Sequence, residues 1–332
     1  EDWLEKKLRY AFIIAFVYSA VAILGARLLF AANSGLVSVV FTSLLLIPYL
    51  QKLFEKEEMA ELREKSGFKV RTFIKDNLPA IKVYAALFLG IYIAFMLYSF
   101  FLPIMGFDTG VVFREQLSLE SGFRGNAFSI DTFLNIFLNN WWVLLACFLL
   151  ALLTGDGAIF FITWNASTWG AIFGYRALAA AFAGGFGNPY MNLLLIFAIT
   201  LPHVILEGGA YVLAAISGSI ISDDVISESG EVPHFLAYLL GVLLAYGLLV
   251  FIFATLFPSL LVLRGFLNVF VLFGLLWLLG NAFDDADHKR VYWYNYRLFI
   301  IAVLLFLVGA FVETVVLSNS SLLATIYSAA LS

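Results

Sequence analysis

Charged residues are scarce in this sequence. Asp, Glu, Lys and Arg make up 13% of its 332 residues, whereas a soluble domain carries about 25%. Hydrophobic residues make up 63%, and the mean hydropathy is +0.97. Because the chain lacks the polar surface that water requires, its composition excludes a soluble globular protein and predicts an integral membrane protein.

Cysteine and histidine are also rare, with one and three copies. A single cysteine, Cys147, excludes a disulfide within the chain, and so few histidines give little reason to expect a metal site. Neither a nucleophile elbow, nor a P-loop, nor a carboxylate pair in a polar loop is present, so we expect no enzyme and no cofactor. The net charge of −4 gives no reason to expect nucleic acid as a partner.

Long apolar runs dominate the sequence. A helix needs about 20 apolar residues to cross the hydrocarbon core of a bilayer. Nine runs approach or exceed that length: 10–32, 36–50, 79–102, 141–153, 158–182, 191–221, 235–263, 266–282 and 298–317. The predicted fold is therefore all-α, a polytopic transmembrane bundle of about nine spans. Run 266–282 fits either a span or an interfacial helix, and 131–140 is predicted to be an interfacial helix that enters the fourth span.

Basic residues set the predicted orientation, since Lys and Arg in short loops remain cytoplasmic. Eight of them lie between Gln51 and Lys82. We therefore predict a transmembrane hairpin over 1–50, a cytoplasmic amphipathic helix over 51–78 and a transmembrane core over 79–332, with an insertion at about 223–297. The N-terminus would then be cytoplasmic and the C-terminus outside, in the cell membrane.

Ionisable residues within apolar runs are costly and therefore informative. His203 and Glu207 are four residues apart, so they share a helix face. Pro202 precedes them and two glycines follow, which predicts a kink or break within one turn. Two interpretations are open. The pair is either packing glue between helices or part of a conduction, proton-relay or partner-contact site.

Energetics predicts which way these side chains point. A charged group facing lipid at mid-bilayer costs about 2.5–3.5 kcal/mol, whereas an interhelical hydrogen bond contributes only about 0.6 kcal/mol. We expect His203, Glu207 and Asn165 to face the bundle interior, with at least one bond to another helix. Glu313 is the expected long-range neighbour and Arg176 the second, unless Arg176 extends to the interface instead.

Several of these residues lie in motifs that resemble the SpoIIM (stage II sporulation protein M) family. The motifs are Phe137-Leu138-Asn139-Asn140 at a helix entry, Trp164-Asn165 followed by small residues to Gly174, Leu201-Pro202-His203 with Glu207, and Ala310-Phe311-Val312-Glu313. The resemblance covers about residues 84 to 317.

Two departures from the family pattern are Val204 and Ala166, where the family usually or often has Gly. The family core has roughly five spans, so the N-terminal hairpin and region 235–282 look like the additions of archaeal-type members.

The resemblance implies a non-enzymatic membrane scaffold that organises partner proteins or membrane shape. In spore formers the family works with peptidoglycan-degrading partners. It has no assigned catalysis, so Asn165, His203, Glu207 and Glu313 carry over only as signature positions. The alternative, from the residues themselves, is a channel or transporter for a small solute or ion. The expected partners are the lipid bilayer and other membrane proteins or further copies of this chain.

Overall fold

The computed structural model describes residues 2–54, 70–118, 130–155, 158–182, 188–222, 232–257, 261–281, 283 and 286–319. All regular structure within these ranges is helical, with no β-strand. The predicted all-α fold is confirmed, as an arrangement of apolar helices of membrane-spanning length.

The helices follow the predicted runs closely. Their bounds are α1 Asp2–Leu29, α2 Ser34–Phe54, α3 Val70–Phe101, α4 Thr109–Val112, α5 Arg114–Ser118, α6 Ile130–Thr154, α7 Ala158–Phe182, α8 Pro189–Ile221, α9 Val232–Leu256, α10 Leu261–Asn281 and α11 Ala286–Asn319. Each of the nine predicted runs overlaps a helix, although run 235–263 extends past the end of α9 at Leu256 to the first residues of α10.

Six helices of the described ranges are long and apolar enough to cross a membrane. They contain the segments Leu8–Leu29, Ile81–Phe101, Ile130–Thr154, Pro189–Ile221, Phe235–Leu256 and His288–Val316. Helices α2 and α10 hold shorter apolar segments, Ser34–Leu50 and Leu267–Asn281. The 25-residue α7 is long enough but more polar, because it includes Asn, Ser, Thr and Arg side chains. The chain is thus a membrane protein, with six clear spans among the nine predicted.

Helix α8 lies at the centre of the bundle. It packs against α11, α6, α7 and α3, while α3 also packs against α7 and α1. Helices α1 and α2 pack together as the predicted hairpin, and α9 packs mainly against α10. The two glycines of α7 cross α3 closely, since an added β-carbon at Gly170 or Gly174 would overlap the Tyr92 or Met96 carbonyl. Small residues in α7 therefore permit close helix approach, as predicted.

Residues 131–140, predicted to be an interfacial helix that enters the fourth span, are continuous with that span. These residues form the first turns of α6, which continues without interruption to Thr154. The reason is packing: Leu134, Phe137 and Trp141 are buried and recur at helical spacing, so one apolar stripe extends across the whole helix. Residues 55–69 of the predicted cytoplasmic segment lie outside the described ranges.

Candidate functional site

Three ionisable or polar side chains lie along one face of α8. His203, Glu207 and Tyr211 are spaced four residues apart, so they stack on the same side of the helix. They are 2%, 0% and 0% exposed, respectively. The sequence indicated the first two by their cost in an apolar run. It gave no comparable signal for Tyr211, because a tyrosine is ordinary in such a run.

Glu207 is held by a residue of another helix. Asn140 of α6 donates from Nδ2 to Glu207 Oε2 at 3.2 Å. The other oxygen, Oε1, is fully enclosed and receives no hydrogen bond from an N–H or O–H group. The prediction of an interhelical bond is confirmed, and of the two asparagines singled out at the helix entry it is Asn140 that bonds, while Asn139 is exposed.

The second carboxyl group of the site comes from α11. The carboxyl of Glu313 lies within hydrogen-bonding range of the Glu207 carboxyl. Glu313 is the predicted long-range neighbour of the His203 and Glu207 pair. The Glu313 residue is half-buried, but its Oε2 is enclosed and likewise receives no hydrogen bond. We call Glu207 and Glu313 the carboxyl pair.

Helices α8 and α11 are in close contact at the carboxyl pair. A β-carbon added at Gly309 would lie 2.7 Å from Glu207 Cγ and 3.2 Å from the Glu207 backbone nitrogen. Gly309 is four residues before Glu313, so the two residues lie on the same face of α11. Glycine at this position therefore lets α11 approach α8 closely enough to bring the two carboxyl groups together.

The charge of the two carboxyl groups determines which species this site can bind. Two neighbouring carboxylates that are both ionised in a buried place repel each other strongly, and one proton shared between them relieves the repulsion. The shared proton would also supply the donor that two contacting carboxyl groups otherwise lack. A net negative charge remains after one proton has bound, so the pair has affinity for a further cationic species.

Arg176 is buried inside the bundle. It lies on α7 and is only 1% exposed, so the alternative prediction, an extended side chain at the interface, is wrong. The charged group that acts on Glu207 is Glu313. That Arg176 is the second long-range neighbour of the site stays a prediction.

His203 occupies an aromatic environment one turn before the pair. Its ring makes edge-to-face contacts with Trp169 at 6.2 Å and Phe173 at 6.3 Å between centroids, and its Nδ1 has no hydrogen-bond partner. Glu207 bonds Asn140 rather than His203, because the aromatic rings of α7 hold the imidazole.

The helix that carries these residues is not broken. Pro202 lies inside α8, which runs as one helix from Pro189 to Ile221. Of the predicted kink or break, the break is therefore wrong, because packing on several neighbouring helices tolerates the one missing backbone donor; the kink stays a prediction.

Asn165 faces the interior as predicted, with 7% exposure, but it bonds within its own helix. Its Nδ2 donates to the Phe161 carbonyl at 2.8 Å. Among the described residues, no group of three or more His, Cys, Asp and Glu side chains is arranged to hold a metal ion.

Comparisons with known proteins add no family to this picture: no family model matches the chain, and no curated protein or solved structure matches it significantly. The SpoIIM resemblance therefore depends on the sequence motifs alone, and the functional argument depends on the geometry of the carboxyl pair.

Proposed function

We propose that this protein transports a small solute or ion across the membrane, and that the carboxyl pair is its proton-binding site. The observation that carries the proposal is the contact between Glu207 and Glu313 in the bundle interior, with Oε1 of one and Oε2 of the other lacking a donor. An intramembrane ionisable group is expensive and marks a substrate or proton pathway by default.

A purely structural role is a weaker explanation of the same contact. Two carboxyl groups stabilise a contact between helices poorly, because they attract each other only when a proton lies between them. Apolar side chains, or an amide opposite a carboxylate, would join α8 to α11 at every pH. A site that binds and releases a proton gives these two side chains a function that packing does not.

The pair is also placed where a change of charge can move helices. Glu207 and Glu313 belong to different helices, and α8 contacts α3, α6, α7 and α11. Loss of the shared proton would make the two helices repel each other at a close contact, beside Gly309. Coupling of protonation to a helix rearrangement is what a proton-linked transporter requires.

A membrane scaffold is the second candidate, and it follows from the SpoIIM resemblance. One observation favours it: α9 is a long apolar helix that packs mainly against α10, and only 11% of an 18-residue stretch within its apolar segment Phe235–Leu256 is buried. Such a helix offers a broad apolar surface to lipid or to another membrane protein. Location in the cell membrane, with the N-terminus cytoplasmic, belongs to both candidates.

Proton flux in liposomes tests the leading candidate. Purified protein would be reconstituted with a pH-sensitive dye inside the vesicles, and a pH gradient imposed with and without a membrane potential. We expect protein-dependent acidification that Glu207→Gln and Glu313→Gln each abolish. Asp131→Asn is the matched control, since it also converts an acid to its amide but at an exposed position of α6, and it should transport normally.

Folding must be separated from activity in this experiment. Each variant would be checked by size-exclusion chromatography and helical circular dichroism before reconstitution. Wild-type protein that produces no flux under any gradient or candidate counter-ion would overturn the transport proposal and leave the scaffold. Flux that is equal in wild type and in both glutamine variants would show that the carboxyl pair is not the proton site.

A further inference from the structure

Tyr211 completes a set of oxygen atoms around the carboxyl pair. It lies one helical turn after Glu207 on the same face of α8, and it is fully buried. Its hydroxyl has no hydrogen-bond partner, although Tyr211 is close enough to Glu207 and Glu313 to interact electrostatically with both. A buried hydroxyl that bonds to nothing is uncommon in a folded protein, and each instance calls for an explanation.

We propose that Glu207, Glu313 and Tyr211 form a binding site for a monovalent cation, and that the cation competes with the proton at the carboxyl pair. This inference uses the same site as the proposed transport function and rests on it for its physiological meaning. Each of these neighbouring residues has one enclosed oxygen without a hydrogen-bond partner: Glu207 Oε1, Glu313 Oε2 and Tyr211 Oη. They come from two helices, so a bound ion would join α8 to α11.

The charge of the site favours a cation. Two ionised carboxylates carry two negative charges, and one shared proton leaves one. Among the described residues, the groups that act on the two carboxyls include no basic side chain, so this charge remains unless a second proton or a metal cation binds. A cation bound to the singly protonated pair makes the site neutral, which lowers the cost of burying it among apolar helices.

The charge of the site favours a monovalent ion over a divalent one, because a divalent ion on the singly protonated pair would leave a net positive charge buried among apolar helices. Calcium takes six to eight oxygens, and magnesium retains several waters in an octahedral shell. The described residues offer three free oxygens at this enclosed position. The Asn140 amide does not add to them as the structure has it, because its Nδ2 donates to Glu207 Oε2 and so fixes the carboxyl orientation.

Few other groups near the carboxyl pair could bind or release a proton in the pH range where the two carboxyls do. On α8 the neighbours of Glu207 are His203, one turn before it, and Tyr211, one turn after it. On α6 they are Asn140 and Cys147, the latter buried and close to Tyr211. On α7 the neighbour is Trp169, whose ring centroid is 6.2 Å from that of Tyr211. Competition between cation and proton should therefore arise from the two carboxyls.

Trp169 makes binding measurable without a transport assay. Because its ring contacts Tyr211, an ion bound by the Tyr211 hydroxyl should change its fluorescence. Detergent-purified protein would be titrated with NaCl, replacing choline chloride at constant ionic strength, and in parallel with LiCl, KCl, MgCl₂ and CaCl₂. We expect a saturable response to one or more monovalent ions, with an apparent Kd that rises by about tenfold for each unit of pH lowered while one proton competes.

Variants show whether the response comes from this site. Glu207→Gln and Glu313→Gln should each abolish it. Tyr211→Phe removes only the hydroxyl and should weaken binding by about tenfold or more, as expected for the loss of one ligand to a charged group. Tyr292→Phe is the matched control: Tyr292 is also buried, but its hydroxyl donates to the Leu276 carbonyl, away from the pair. It should bind like wild type.

The outcomes separate this inference from the transport proposal. Absence of any cation response, a response unchanged in Tyr211→Phe, or a clear preference for a divalent ion would overturn the inference. If proton flux is present but no cation binds, only this inference fails. If the cation binds at the site but no flux occurs, the site stands and the transport proposal fails.

Discussion

Gly309→Ala tests whether the close crossing of α8 and α11 creates the carboxyl pair. The added β-carbon would lie 2.7 Å from Glu207 Cγ and 3.2 Å from its backbone nitrogen, about 1 Å inside the optimal carbon–carbon separation of about 3.5–4.0 Å. The Glu207 side chain can rotate, but the backbone nitrogen cannot move without α8. The two helices must therefore separate at the pair.

The expected cost follows from that geometry. Overpacking of a tightly packed interior costs about 1–3 kcal/mol, and the intrinsic gain from alanine over glycine in a helix offsets up to about 1 kcal/mol. We expect a net loss of about 1–2 kcal/mol in the free energy of unfolding. Unfolding by sodium dodecyl sulfate in mixed micelles, followed by tryptophan fluorescence, would measure it.

Gly241→Ala is the matched control, because a β-carbon at Gly241 of α9 would meet nothing within 4 Å. It should leave stability unchanged or raise it. The cost of Gly309→Ala should also shrink in a Glu207→Ala background, where Cγ is absent. Equal effects of the two glycine substitutions, or a cost independent of Glu207, would refute the close-crossing argument.

Three other predictions follow from particular contacts. Asn140→Leu removes the donor to Glu207 Oε2 and should cost about 1–3 kcal/mol of stability; a neutral result in the same unfolding assay would contradict the bond. Trp141→Phe should cost about 1–3 kcal/mol, because it leaves a cavity and breaks the bond from Nε1 to the Tyr246 hydroxyl; the share of the bond, about 0.5–1.5 kcal/mol, should disappear once Tyr246→Phe is present. A cysteine placed at Ala60 in a cysteine-free background should react with an impermeant reagent only from the cytoplasmic side.

The fold was largely predictable because burial in lipid leaves few choices. Every backbone polar group within a bilayer must bond internally, so long apolar runs become helices. The nine runs therefore matched helices. Residues 131–140 are harder to assign, because polar residues interrupt the apolar stripe there and hydropathy alone cannot tell a surface-lying segment from a span whose polar side chains find partners inside the bundle.

The candidate site was predictable only in part. The cost of a charge in an apolar run pointed to Glu207 and Glu313, and the structure brings them together. Asn140 was singled out for a different reason, as a helix entry, and its bond to Glu207 depends on how α6 packs against α8. The aromatic contacts of His203 and the position of the Tyr211 hydroxyl likewise depend on neighbouring helices that sequence spacing does not orient.

The measurement that tests the central claim most directly is infrared spectroscopy of the carboxyl groups in reconstituted protein. A shared proton at the carboxyl pair predicts a carbonyl stretch of a protonated, buried carboxyl at neutral pH. That band should shift in heavy water and should be lost or displaced in Glu207→Gln and in Glu313→Gln, while Asp131→Asn leaves it unchanged. A spectrum without such a band, or a band that neither glutamine substitution alters, would contradict the claim that these two side chains hold a proton within the membrane.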